Sequence, residues 1–375
     1  MLNSLSTYLN TIEAELKPDI IKPQNWQNIQ AIANIFPQLI TSFFGFEYRL
    51  GDTNAYSDFL LCIDGEEAGK KILGDRQNGM QLPDHLIEQP EWQQLFNFAQ
   101  LWCADNSLLG DLVSNMWLEF DIEPTPTDTP IPSVFFGLQP PEITDAKHDA
   151  SNFAWIADTA LPLLLNRPVA ARVKEKIELC FASLPVSAHV FQVGLMLSRQ
   201  TDAVRLCIRN LQPSEIIPWL EQLGWQGDSR NLALVLRKLA PFVDRIDLDL
   251  DVGEDIYPKI GLECYLAMQP TLEPKWACFL EYLVGLGLCT AEKQHKLLTY
   301  PGYVRERGFK SKQKLKLEQL LNSKQETVFF NGIHHVKLSY QERVTEAKAY
   351  LYVSRSQINV QEFNARAKAI QGVNK

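Results

Sequence analysis

Five times along this chain two strand-like runs face each other across a turn, and helical segments separate each pair from the next. The clearest unit begins at His189. Residues 190–197 read as a strand, Arg199-Gln200-Thr201-Asp202 as a turn, residues 203–209 as the returning strand and residues 214–223 as a helix. A hairpin with one helix cannot bury its apolar face alone, so the copies must share a core. That requirement restricts the fold more than any single motif does.

The other four pairs follow the same pattern. Residues 46–50 and 57–63 flank a Gly51-Asp52-Thr53-Asn54 bend. Residues 116–122 and 133–138 flank a connection rich in Pro and Thr, expected to project as an irregular loop. Residues 245–252 pair with 259–266, and residues 335–340 with 346–352. Pro90 suits the first turn of a helix running to Cys103, and Thr290 suits an N-cap. Residues 1–40 read as an N-terminal helical segment, 41–353 as the five repeats and 354–375 as a helical tail. No compositional break divides 1–375, so a single domain is expected.

Alternation sets the architecture. Successive strand residues point to opposite faces. Val204, Leu206 and Ile208 form one face, and Arg205, Cys207 and Arg209 the other. The same split separates Ile246, Leu248, Leu250 and Val252 from Arg245, Asp247, Asp249 and Asp251, and Ile260, Leu262 and Cys264 from Lys259, Glu263 and Tyr265. The intervening helices cover the aliphatic face. The polar face then either meets water on an open sheet or lines a closed barrel. Ten strands in an open antiparallel sheet would leave two free edges, so closure is expected. The predicted fold is α+β: helix–strand–strand–helix units forming a closed ten-stranded antiparallel β-barrel ringed by α-helices, wide enough inside for a ligand.

A formal net charge of −9 argues against nucleic-acid binding, which needs a clustered basic surface. The seven cysteines are odd in number and none lies in a C-x-x-C pair, which suits buried thiols in a reducing, cytoplasmic setting. No basic region followed by an apolar run opens the sequence at Met1-Leu2-Asn3-Ser4, and no apolar run reaches the roughly 20 residues a membrane span needs. Neither a glycine-rich phosphate loop nor a G-x-S-x-G elbow occurs. The dense basic segment Lys310-Ser311-Lys312-Gln313-Lys314-Leu315-Lys316 reads as a solvated helix start, the alternative being a surface that attracts an acidic leader peptide or a carrier protein.

Five hairpins interleaved with outer helices resemble the ABBA prenyltransferases, and Lys348-Ala349-Tyr350 is similar to the Lys-x-Tyr element with which that family grips diphosphate. Glu119, in Leu118-Glu119-Phe120, resembles the early-strand acid that indole-directed members use to hold the indole nitrogen. The resemblance implies transfer of an isoprenoid from an allylic diphosphate to an aromatic or peptide acceptor, inside a barrel chamber. Glu119 would be the catalytic acid–base group. Such chemistry needs cations on the leaving oxygens and aromatic rings around the carbocation. The candidates on polar strand faces are Arg49, Arg205, Arg209, Lys259, Lys337 and Lys348, with Tyr265, Tyr350 and Tyr352 beside them. No cofactor is required, and Mg2+ is compatible with the chemistry but not indicated by any motif.

These cations could instead neutralise Asp247, Asp249, Asp251, Glu119 and Glu263 in buried ion pairs. The alternative function is therefore a non-catalytic protein of the same fold that binds a small molecule or peptide. The three aspartates could also offer oxygen ligands to a divalent metal, but alternate strand positions lie about 7 Å apart, too far for all three to reach one ion without help from a loop, so ion pairing is the expected role. His334 and His335 are adjacent on a strand, so they are expected to face opposite sides, with His335 the one that reaches the chamber.

Overall fold

The structure, a computed structural model, describes residues 3–16, 20–53, 56–75, 79–80, 82–123, 130–139, 153–199, 201, 203–306 and 325–359. Ten strands close into one antiparallel ring. In chain order they are β1 (Phe43–Arg49), β2 (Ser57–Asp64), β3 (Val113–Phe120), β4 (Ser133–Leu138), β5 (His189–Leu195), β6 (Val204–Arg209), β7 (Arg245–Val252), β8 (Ile256–Tyr265), β10 (Gln325–Gln341) and β11 (Arg343–Asn359). Neighbours in sequence pair in order around the ring, β8 pairs with β10, and β11 closes it by pairing with both β10 and β1. Closure removes the free edges that an open sheet of this size would carry. This is the closed ten-stranded antiparallel barrel expected from the hairpin repeat.

The faces are as alternation predicts. Leu206, Leu248, Leu262 and Leu338 are buried in a continuous apolar layer between strands and helices. The covering helices show why they form. The helix Ser229–Leu239 buries Leu232, Leu236 and Leu239, one stripe at spacings of four and three, and Asp228 caps its start by accepting from the Asn231 amide at 2.9 Å. The helix Pro90–Cys103 begins at a proline, as expected, and buries Trp92, Phe96 and Trp102. Its tryptophan indoles each donate to a backbone carbonyl, Pro130 at 3.0 Å and Val113 at 2.9 Å, so the buried N–H groups are satisfied. Thr290 caps the helix Ala291–Thr299 through its side chain.

Hairpin five corrects the sequence reading. Each of its strands runs 17 residues, where six or seven were predicted. Residues 354–359 belong to β11 and not to a helical tail, because they pair with residues 325–330. The remainder of the tail, 360–375, and the basic segment 310–316 lie outside the described residues. The two long strands continue past the end of the ring, where a further strand, β9 (Gly302–Arg305), pairs with Val328–Asn331. No alternation in four residues could announce β9. Among the described residues no helix is long and apolar enough to cross a membrane, and the seven cysteines are free thiols.

Candidate functional site

The inward face of the barrel has two zones. One end is walled by rings: Phe43, Trp117, Phe135, Phe191, Tyr265, Tyr350 and Tyr352 enclose about 220 Å³ together with Glu119, Cys207, Arg209, His334 and His335. Phe43 and Tyr352 stack at 5.5 Å with their planes 10° apart, and Trp117 meets Phe43 edge-on at 5.8 Å. Tyr352 lies across Gly332, its register partner on β10, where a Cβ would come within 2.7 Å of the tyrosine hydroxyl. Glycine at that position lets the ring lie along the wall and leaves the lumen open.

Toward the barrel's centre the rings give way to charge. Glu47, Glu119, Arg205, Asp249, Asp251, Lys259, Lys337, Lys348 and Tyr350 surround a gap of about 60 Å³. Cations of hairpins three, four and five do converge, as the sequence predicts, but each except Lys259 already holds an internal carboxylate. Arg205 binds Asp251 through two nitrogens, at 2.8 and 2.9 Å. Lys337 pairs with Asp249. Arg209 (3.1 Å) and Arg245 (2.9 Å) share Asp247, which is wholly buried. At the far mouth Arg49 meets Asp58 at 3.3 Å, and Arg199 meets Asp121 at 2.6 Å. The acidic triple therefore neutralises three different sets of cations. Because β6 and β7 are in register with Arg205 opposite Asp251, the alternating charges of the two strands meet in pairs.

The Lys-x-Tyr element gives the most informative geometry. Lys348 Nζ donates to Glu47 Oε1 at 2.7 Å, and the Tyr350 hydroxyl donates to Glu47 Oε2. An internal carboxylate thus occupies the donors that the family resemblance assigns to diphosphate. Burial pushes the Glu47 carboxyl up, but Lys348 and the two hydrogen bonds more than offset it and hold the group down at about 2. Glu47 was not among the predicted site residues. Its phase with Arg49 in Phe46-Glu47-Tyr48-Arg49 was the available signal.

Two titratable groups stand apart from this network. Glu119 faces the junction of both zones and makes no hydrogen bond among the described residues. Burial, reinforced by the nearby Glu47 charge, raises its carboxyl to about 8, so it is protonated at neutral pH. Lys259 has no ion-pair partner among the described residues, and burial followed by the Lys348 charge lowers its ammonium. Replacing it should cost little. Lys259→Met is expected to change unfolding free energy by less than about 1 kcal/mol, measured by urea denaturation, because no partner is left stranded.

The histidines depart from the predicted opposite-facing pair. The register between β10 and β11 jumps at Ile333/His335, so His334 is the extra residue of a bulge. The bulge turns both rings into the chamber, with their Nδ1 atoms 2.7 Å apart. His335 stacks on Tyr350 at 4.3 Å, and its Nε2 lies 3.5 Å from Glu263 Oε1, while Tyr265 donates to Glu263 Oε2 at 2.7 Å.

No family model matches the sequence, and no curated protein matches it. Among solved structures the chain is similar to AnaPT from Neosartorya fischeri, at 14% identity over 95% of this chain and 93% of that one, with a TM-score of 0.46. So low an identity transfers no residue role.

Proposed function

We propose that the barrel is a binding chamber for a flat aromatic small molecule, held in the ring-lined end with protonated Glu119 as its polar contact. The observation that carries this reading is the grip of Lys348 and Tyr350 on Glu47. A diphosphate brings several negative charges and needs a surplus of cations to meet them. Here the surplus is spent on Glu47, Asp249, Asp251 and Asp247, so a neutral guest suits the interior better than an anion. Ring walls supply offset and edge-on contacts for such a guest, each worth about 0.5–1.5 kcal/mol beyond area burial. A neutral carboxyl can both donate to and accept from a ring heteroatom.

A second reading is prenyl transfer from an allylic diphosphate to an aromatic acceptor. Lys259 favours it, since this ammonium, without an ion-pair partner among the described residues, lines the same gap as Arg205, Lys337 and Lys348, with Glu119 beside the acceptor space. The two separate experimentally. Fluorescence titration with the uncharged probe N-phenyl-1-naphthylamine should saturate, and geranyl or dimethylallyl diphosphate should not displace the probe. Incubation of either diphosphate with tryptophan-containing acceptors should give no mass increment. Formation of a prenylated product would overturn the binding-only reading in favour of the transferase.

A further inference from the structure

Beyond a place for a ring, the chamber wall contributed by β3, β4 and β5 carries hydrogen-bonding groups that no other described residue engages. This wall supplies Trp117, Phe135 and Phe191, and apart from Glu119 it holds no titratable group. The ionic and imidazole groups that line the chamber come from β6 onward round the ring. A register shift between Val190 and Gln192 makes Phe191 the extra residue of a bulge on β5. Phe191 and Gln192 therefore both reach the chamber, where strict alternation would separate them. The Arg209 guanidinium covers one face of Phe191 at 4.0 Å. The half-buried Gln192 side chain makes no hydrogen bond among the described residues.

The wall around Gln192 is flat. Asn115, Gly137 and Gln192 form one row across three strands. The Asn115 amide lies across Gly137, where a Cβ would come within 2.6 Å of Asn115 Nδ2. One row further in, the Phe135 ring lies across Gly194 in the same way, with Trp117 and Phe191 packed beside it. Bare backbone under each flat group lets it lie along the wall. Gln192 and Glu119 stand at opposite corners of this surface. Glu119 is four residues along β3 from Asn115, so the Gln192 and Glu119 Cα atoms are about 16 Å apart along the wall by strand rise and spacing. Two side chains and a guest of two fused rings bridge that separation together.

Both corners present the same pattern. The Gln192 carboxamide offers an N–H donor beside a carbonyl acceptor, and the protonated Glu119 carboxyl offers an O–H beside a carbonyl. A ring nitrogen next to an N–H matches either one, which is how Asn and Gln read the edge of adenine. We propose that the chamber's guest is an amino-substituted nitrogen heteroaromatic of two fused rings, the class of a free purine or pteridine base, laid flat on this wall between Gln192 and Glu119. The inference rests on the chamber reading and names the class of molecule that fills it. A hydrocarbon ring would strip water from both corners and return no hydrogen bond, and a lone hydroxyl would satisfy only one. A nucleotide brings phosphate, and Arg205, Lys337 and Lys348 already hold Asp251, Asp249 and Glu47. The base without its phosphate is the form that fits.

The test titrates full-length protein with 2-aminopurine, a base whose fluorescence is quenched by stacking. Wild type should quench it saturably. Gln192→Leu and Glu119→Leu should each weaken 2-aminopurine about tenfold relative to N-phenyl-1-naphthylamine, which lacks the paired donor and acceptor. Glu119→Gln, whose carboxamide restores that pair, should stay within about threefold of wild type, a rescue that a merely structural role for Glu119 does not require. The 5′-monophosphate of 2-aminopurine riboside should bind at least about tenfold more weakly than the base. Saturation by N-phenyl-1-naphthylamine without any quenching of 2-aminopurine overturns the assignment and leaves the chamber reading standing. A Gln192→Leu ratio equal to wild type overturns it as well, as does nucleotide binding as tight as that of the base. Binding of neither probe contradicts the chamber reading and removes this inference with it.

Discussion

Glu47→Ala should lose about 3–5 kcal/mol of unfolding free energy. Glu47 is 8% exposed, and its two partners reach it from β11 across the β1–β11 seam that closes the ring. Truncation leaves the Tyr350 hydroxyl without its acceptor and Lys348 with only Glu346, 3.6 Å away. The loss therefore includes the desolvation of those groups as well as the missing attraction. Its pH dependence has a defined sign. The folded carboxyl sits at about 2, below the usual 4.5, so its contribution is present above 4.5 and disappears as pH falls toward 2. The gap between wild type and variant, read from urea denaturation, should close over that window. If the gap is constant from pH 7 to 3, the ion pair is not its cause.

Glu119→Gln should act in the opposite direction. The folded carboxyl sits at about 8, raised first by burial and then by Glu47. Folding therefore favours the protonated acid. That advantage is intact below 4.5, where the unfolded chain is also protonated, and it erodes as pH rises to about 8. Glutamine mimics the neutral acid and cannot ionise. The variant should match wild type at pH 4.5 and exceed it by about 2–4 kcal/mol at pH 8.5, less than the full conversion of the shift because the group still touches chamber solvent. Equal stabilities at pH 8.5 would mean that Glu119 ionises freely and is not the neutral contact assigned to it.

Much of this was legible in the sequence where alternation was strict. In β6, β7 and the second half of β8, from Ile260, every second residue is apolar, and those residues are buried in the layer beneath the helices. Closure was expected because ten strands in an open antiparallel sheet would leave two free edges. Hairpin five was read short because the outer part of β11, Ser354-Arg355-Ser356-Gln357, is polar in sequence; its register with Thr327–Phe330, and not periodicity, makes it a strand. The histidine pair was misread for a related reason. A bulge depends on how two strands align at residue 334, and one strand's pattern does not carry that information.

The candidate site was half legible. Arg205, Lys337 and Lys348 were found by phase, and the sequence also raised their pairing with the acidic triple as the competing explanation. What it could not supply was which carboxylate meets which cation, since the partners come from different hairpins. Arg205 and Asp251 are 46 positions apart, and Lys348 and Glu47 are 301 apart. Glu47 was overlooked because Phe46 and Tyr48, both fully buried, make β1 read as an apolar strand. Tyr265 and Tyr352 line the ring-walled end, whereas Arg49 lies at the opposite mouth among Asp58, Arg199 and Lys348.

The central claim is that Glu47 fills the Lys348–Tyr350 cradle from within, and calorimetric titration with inorganic pyrophosphate tests it directly. Wild type and Lys348→Ala should both give no binding heat. Glu47→Gln, which keeps the side chain's shape and removes its charge, should acquire pyrophosphate binding. Saturable binding by wild type that Lys348→Ala abolishes would contradict the claim and identify the cradle as a diphosphate site.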